Sequence, residues 1–151
     1  MKYEKIWTKI LNPNEDIKHE FSIGNRYLKV QLFAWFVLAV FLLCIWISLF
    51  PLSIFLMIIG VAQYFYIVNS NAYAFTNKRV LIHTGWLSTK ATSVNFDKIT
   101  EVTVVEPYLT RILTKTGELS IHTANMIDGL HIKNIENPYE LKKKLDALRN
   151  Q

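Results

Sequence analysis

The feature that most constrains this chain is a long run of uncharged residues. Residues 30–68 contain no Asp, Glu, Lys, Arg or His over 39 positions. A helix rises about 1.5 Å per residue and the hydrocarbon core of a bilayer is about 30 Å thick, so one membrane span needs about 20 apolar residues. Pro51 divides the run, because it has no amide donor and disfavours the helical conformation at the residue before it. The sequence therefore predicts a transmembrane helical hairpin over residues 30–71, with spans at 30–50 and 52–68 and a turn at Pro51.

The alternative is a helical pair buried inside a soluble domain. It is disfavoured because a chain of 151 residues cannot surround so long an uncharged segment. The predicted spans hold no ionisable side chain, which argues against an ion path or a transporter core. Gln63 is expected to make a hydrogen bond between the two helices, and Gly60 to permit close packing. Trp35 and Trp46 are expected near the two membrane interfaces.

The charges beside the apolar run predict how the hairpin is oriented. Residues 1–29 hold six Lys and Arg against four Asp and Glu, and residues 69–151 hold eleven against eight. The positive-inside rule then places both termini in the cytoplasm and the protein in the cell (inner) membrane. A net charge of +5 is too small and dispersed to indicate nucleic-acid binding, but it suits anionic lipid headgroups. The single Cys44 excludes a disulfide framework.

The arm of residues 1–29 shows two different periodicities. Five apolar residues recur at helical spacing, which predicts an amphipathic helix: Tyr3, Ile6, Trp7, Ile10 and Leu11. Its apolar face suits either the membrane interface or the protein's own soluble domain. Residues 17–23 alternate between apolar and polar, which predicts a short strand that we expect to join that domain. Asn25 is expected to cap the following helix.

Residues 72–151 change to the short β-type runs of a separate cytoplasmic domain. Strands are predicted at residues 73–76, 79–84, 88–96, 99–105, 118–123 and 129–135. A C-terminal helix is predicted to follow, with Asn137 as its N-cap and Pro138 at its first position. The fold class is therefore an α+β membrane protein, in which a hairpin joins a small antiparallel barrel or curled sheet closed by one helix.

Several motifs resemble those of a known family. Tyr73, Thr76 and Arg79 precede an aliphatic run, Gly85 follows, and a later segment combines Arg111, Ile112, Leu113 and Gly117 with Ile121, Thr123 and Ala124. Together these residues resemble the bacterial pleckstrin-homology (PH)-like membrane proteins, in which a helical pair precedes a cytoplasmic PH-like domain. The resemblance implies a non-enzymatic module whose motifs are structural. The chain departs from it at residues 114–116 and 125–126, where the family tends to have glycine.

Five basic residues are the candidate contacts for a lipid headgroup or a partner: Lys78, Arg79, Lys90, Arg111 and Lys115. By resemblance, Asn77, Lys78 and Arg79 match the turn after the first strand, where PH domains that bind phosphoinositides carry basic residues. Only residues 69–71 separate the second span from this strand, so the turn is expected to lie near the bilayer. A sheet-edge salt bridge is the alternative role of Arg79.

No pattern of catalytic or metal-binding residues is evident. The four histidines lack metal-ligand spacing, and there is no phosphate-binding loop or nucleophile elbow. We therefore expect no cofactor, no metal and no enzyme activity. The predicted function is a membrane-anchored PH-like binding or scaffold module that binds a protein or anionic lipid, or self-associates. The alternative is an accessory subunit of a membrane export or envelope-stress system.

Overall fold

A computed structural model describes residues 3–45, 50–124 and 126–150, and the side chains of residues 126–128 are not described. The expectations for Trp46 and Asn125 therefore lie outside the described residues. Two long helices form an antiparallel hairpin, and α1, the four-residue helix Glu4–Trp7, precedes them.

The hairpin helices are α2, Asn25–Ile45, and α3, Phe50–Ser70. They begin and end at different residues from the predicted spans. Pro51 is the second residue of α3, so the predicted turn at this residue is wrong. Proline is tolerated in the first helical turn because the amide that it lacks would have no intrahelical partner there. Asn25 is the first helical residue rather than the cap before it.

The two helices pack closely through one polar contact and one glycine. Trp35 Nε1 donates a hydrogen bond to Gln63 Oε1 at 2.9 Å, which confirms the predicted interhelical role of Gln63. A Cβ atom on Gly60 would lie 2.8 Å from Trp35 Cβ, so only glycine permits this approach. The remaining helix surface is largely apolar and exposed, as at Phe33, where 66% of the residue is exposed. Both helices are long and apolar enough to cross a membrane, which indicates membrane association.

The strands form two antiparallel sheets. The first has the order β1-β2-β3-β4 and the second β5-β6-β7, with the bounds Ile17–Phe21, Asn71–Thr76, Arg79–Thr84, Lys90–Asn95, Ile99–Val105, Thr116–Thr123 and Met126–Glu136. An isolated bridge between Ile23 and Ile135 links the sheets at one corner. The described strands do not close into the barrel that was one expectation, because β4 and β5 share no pairing.

The expected strand in the N-terminal arm is present and joins the sheet. Phe21 of β1 lies opposite Tyr73 of β2, so the arm and the C-terminal region share one sheet. The hairpin therefore lies between two neighbouring strands. The other face of β2 presents the small residues Ala72 and Ala74, and this leaves room for the indole of Trp7, which is 1% exposed. The apolar face of the arm thus packs on the protein's own sheet, which is one of the two expected alternatives.

The main core lies between the sheets and under helix α5, Pro138–Arg149. Phe75, Leu119 and Leu145 are completely buried in it. Asn137 precedes α5 as predicted, but its backbone adopts the left-handed conformation (φ 49°) and its side chain makes no capping hydrogen bond. A further short helix that the sequence analysis does not predict, α4, spans Tyr108–Leu113 between β5 and β6.

Candidate functional site

Both hairpin helices leave the β-domain from the same end. Helix α2 follows Gly24, whose amide donates to Asn134 O at 2.8 Å, and α3 continues directly into β2. The Gly85 amide, in the β3–β4 turn, donates to Ser70 O at 2.7 Å. We call the region around Gly24, Ser70 and Gly85 the hairpin end, and the opposite end of the strands the far end.

Three of the five candidate basic residues lie at the hairpin end. Lys90 begins β4 and is opposite Thr84, immediately beside the Gly85 turn. Arg111 lies in α4 and Lys115 between α4 and β6. This segment is at the hairpin end because a Cβ atom on Gly24 would lie 2.7 Å from Thr116 Cγ2. All three basic side chains are exposed.

The other two candidates, Lys78 and Arg79, lie at the far end. Strand β2 has six residues from Asn71 to Thr76, which carry the chain about 17 Å from the end of α3. The β2–β3 turn is therefore remote from the hairpin, which argues against the expectation that it lies near the bilayer. Closeness along the sequence does not give closeness to the helix, because an extended strand runs away from its own start.

Arg79 is bound to the N-terminal arm. Its Nε and Nη2 atoms donate to Glu15 Oε1 and Oε2, both at 2.8 Å, and Nη2 also donates to Ile10 O at 3.2 Å. The Glu15 side chain is 2% exposed. The hydrogen bond from Arg79, together with donors from Asn12 and Thr76, lowers the pKa of Glu15 to about 2 against the opposing effect of burial. This geometry favours the salt-bridge alternative for Arg79.

Thr76 explains the Thr and Arg positions of the family-like motif. Its hydroxyl accepts the amides of Lys78 and Arg79 at 3.2 and 3.0 Å and lies 2.8 Å from Glu15 Oε1. The first strand of the sheet is Ile17–Phe21, so the connection after the first strand is the hairpin itself. Asn77, Lys78 and Arg79 therefore form the turn after the second strand of the sheet, β2.

Gly85 and Gly117 are required for different reasons, and a lysine fills a glycine-like position. Gly85 has φ 95°, as a turn that needs a left-handed residue requires. Gly117 does not have a positive φ, and its constraint is space, since an added Cβ would lie 2.8 Å from Val105 O. Lys115 has φ 51°, within the segment where the chain departs from the family's glycine.

Two exposed apolar groups at the hairpin end are not among the residues predicted from the sequence. Helix α4 exposes four large residues, Tyr108, Leu109, Ile112 and Leu113, by 58–75%. The β3–β4 turn exposes Trp86 by 58% and Leu87 by 88%. The signal was present in both segments, because the first has helical spacing after Pro107 and the second follows the turn glycine Gly85.

Elsewhere the polar groups form structural contacts. On the second sheet, His131 Nδ1 lies 2.6 Å from Glu118 Oε1 and 3.0 Å from Ser120 Oγ. One ring nitrogen serves both neighbours, which differs from a triad, where the two nitrogens bind the serine and the acid separately. Within the described part of the chain, no three His, Cys, Asp or Glu residues are grouped so that they could hold a metal ion.

Residues 25–151 match the protein-family model described as Bacterial PH domain. The chain belongs to this family. The matched region begins at the first residue of α2 and therefore includes the hairpin together with β2 to α5. No curated protein matches the chain.

Two solved structures share the fold of this bacterial PH domain protein. A DUF1696 family protein with a pleckstrin-homology domain from Shewanella loihica PV-4 is 13% identical with a TM-score of 0.53, and 98% of this chain and 94% of that chain are covered. A pleckstrin homology domain from Shewanella amazonensis SB2B is 11% identical with a TM-score of 0.52, covering 99% of this chain and 97% of that chain. Family and fold indicate a binding or scaffold module, and no enzymatic family is indicated.

Proposed function

We propose that this protein is a membrane-anchored PH-like binding module at the cytoplasmic face of the cell membrane. The observation that carries the proposal is the position of the hairpin between β1 and β2. Because these strands are neighbours in one sheet, a hairpin that crosses the membrane twice must return the chain to the side from which it left. The basic flanks make that side the cytoplasm.

The binding surface is proposed at the open side, which we define as the facing edges of β4 and β5. These are edge strands of the two sheets. A cleft of about 570 Å³ runs between them and is lined mainly by polar residues, among them Asn95, Asp97, Lys98, Thr100 and Thr123. An edge strand has free backbone groups with which a segment of a partner protein can pair.

The topology is tested by cysteine labelling of the full chain in intact cells. Cys44 is replaced by Ser, and single cysteines are placed at Phe50, at the tip of the hairpin, and at Lys78, at the far end. Both positions are exposed. A membrane-impermeant maleimide added outside is expected to label Phe50→Cys but not Lys78→Cys until the cells are lysed. Labelling of Lys78→Cys in intact cells would contradict the proposed orientation.

The partner surface is tested by photo-crosslinking. A photoreactive amino acid replaces Asn95 on the open side, and a matched variant carries it at Lys143 on α5, which is also exposed. A crosslink at Asn95 that is absent at Lys143 supports the open side, and its mass separates a second copy of this chain from another protein. A crosslinked transporter would favour the accessory-subunit interpretation. Equal crosslinking at both positions would contradict the proposed surface.

A further inference from the structure

Helix α4 presents its apolar face away from the protein. At about 100° per residue, Tyr108, Leu109, Ile112 and Leu113 occupy one arc of about 140°. Thr114, immediately after α4, is 4% exposed and its hydroxyl lies 2.6 Å from that of Thr116, which attaches this end of the helix to the domain. A surface helix normally buries its apolar arc and exposes its polar one. In α4 the apolar arc is exposed instead.

The position of α4 along the axis of the hairpin follows from the contact of Thr116, just after α4, with Gly24, just before α2. From Gly24 to Val30, where the uncharged run begins, the chain rises about 9 Å along α2. The headgroup layer of a bilayer is about 5–8 Å thick on each side. The outward side chains of α4 are therefore within reach of the boundary between the headgroups and the acyl chains when α2 spans the membrane.

The β3–β4 turn also exposes large apolar side chains, and it lies beside the end of α3. Its backbone is bonded to Ser70 through the Gly85 amide, and Trp86 lines a groove with Asn69, Lys5 and Lys9. Leu87, next to it, is 88% exposed. Tryptophan combines an apolar ring with a polar N–H, and it is enriched at the interface of membranes for this reason.

We propose that α4 and the β3–β4 turn insert their exposed apolar side chains into the cytoplasmic headgroup layer, one beside α2 and the other beside α3. This inference rests on the proposed membrane anchoring. The hairpin and the two insertions define a plane, so they fix the orientation of the β-domain on the bilayer. Lys90, Arg111 and Lys115 adjoin the two segments and suit anionic headgroups.

Two features of the protein favour a lipid layer over a partner protein as the surface that covers these exposed side chains. Both segments are contiguous with the ends of the candidate spans, so a lipid surface is already present at their level. Both also combine large apolar residues with flanking Lys or Arg, which is the composition of interfacial membrane segments. Glu106, immediately before α4, is an acidic residue of the first segment.

The test measures depth in the full chain reconstituted into vesicles of equal parts phosphatidylethanolamine and phosphatidylglycerol. Cys44 is replaced by Ser, and single cysteines carrying an environment-sensitive fluorophore are placed at Leu87 or Ile112. Lys78→Cys is the control at the far end and Phe41→Cys the control within α2. All four positions are exposed. Quenching is compared between nitroxide-labelled lipids and a water-soluble quencher.

We expect the labels at Leu87 and Ile112 to be quenched by the lipid nitroxide, with accessibility to the aqueous quencher several-fold lower than at Lys78. Aqueous quenching equal to that at Lys78, while Phe41 is quenched by lipid, would overturn the inference and leave the anchoring intact. Aqueous quenching at Phe41 would refute the anchoring itself. Protection at Ile112 from both quenchers would overturn the inference in favour of a covering protein.

Discussion

The ion pair between Glu15 and Arg79 gives the sharpest stability prediction. Replacing Glu15 by Gln removes the acceptor charge while the size of the side chain is retained. The carboxylate of Glu15 accepts two bonds from Arg79, at 2.8 Å each, and one from the Asn12 amide at 3.1 Å. The guanidinium would lose its only salt-bridge partner among the described residues, at a site where its side chain is 16% exposed.

The magnitude follows from the pKa of Glu15. Folding lowers this pKa from 4.5 to about 2, and each pKa unit corresponds to about 1.4 kcal/mol, so the ionised form stabilises the fold by about 3 kcal/mol at pH 7. Because the folded pKa is the lower one, this stability is present above pH 4.5 and is lost as the pH falls toward 2. At pH 3 about 1 kcal/mol remains.

The assay is urea unfolding of the full chain in mild detergent, followed by the circular dichroism of the β-domain at pH 7 and pH 3. Glu15→Gln is expected to lower the free energy of unfolding by about 3 kcal/mol at pH 7 and by less than half of that at pH 3. The matched control is Glu101→Gln, an exposed glutamate, which is expected to change stability by less than about 0.5 kcal/mol. A loss below about 1 kcal/mol at pH 7, or the same loss at both pH values, would refute the reasoning.

Three further predictions follow from the structure. Gly85→Ala should cost about 1–3 kcal/mol, measured as a lower melting temperature, because φ is 95° and the new Cβ would clash with Ser88 O. An unchanged melting temperature would contradict the described turn. In a double-mutant cycle of Trp35→Phe and Gln63→Leu, the coupling in unfolding free energy should be about 0.6 kcal/mol or more, and additive effects would argue against the hydrogen bond. Burial lowers the pKa of His83 below its ordinary 6.5, so the stability that the neutral ring contributes is present above pH 6.5 and is lost as the pH falls below it. His83→Leu should therefore reduce the loss of stability between pH 7 and pH 5. An equal loss in both proteins would refute this prediction.

The strands were the most predictable part of the fold. The bounds predicted for β3 and β5 agree with the structure because a short run of β-branched and other apolar residues between turn residues marks a strand, whether one or both of its faces are buried. Alternation of apolar and polar residues revealed β1, although the hairpin separates it from its partner strand. Local periodicity survives such an insertion, since it depends only on the few residues of the strand itself.

The environment of an apolar face was not predictable from its spacing. Tyr3 and Trp7 pack on the protein's own sheet, whereas Leu109 and Ile112 are exposed. Both segments have helical spacing, and this spacing does not indicate whether the apolar face is covered by another part of the protein. The decisive residue for the first is Ala74 in β2, whose small side chain leaves room for Trp7.

The candidate basic residues were identified as a group, but their positions depend on strand direction. Lys78 and Lys90 are at opposite ends of the sheet because β2 leads away from the hairpin and β3 returns to it. The role of Arg79 depends on Glu15, a contact across 64 positions of the chain. A contact of this range is set by the tertiary fold, so no local pattern predicts it.

The insertion of the hairpin between β1 and β2 has a consequence for biosynthesis. Strand β1 leaves the ribosome first and has no partner until β2 is made about 50 residues later. If the hairpin is membrane-spanning, the two strands meet only when both helices have inserted, because failure of one helix would leave them on opposite sides of the bilayer. Completion of the sheet would then report correct insertion, and a chain with an unpaired β2 edge would be open to proteolysis. In this way the architecture links quality control of the membrane segment to folding of the soluble one.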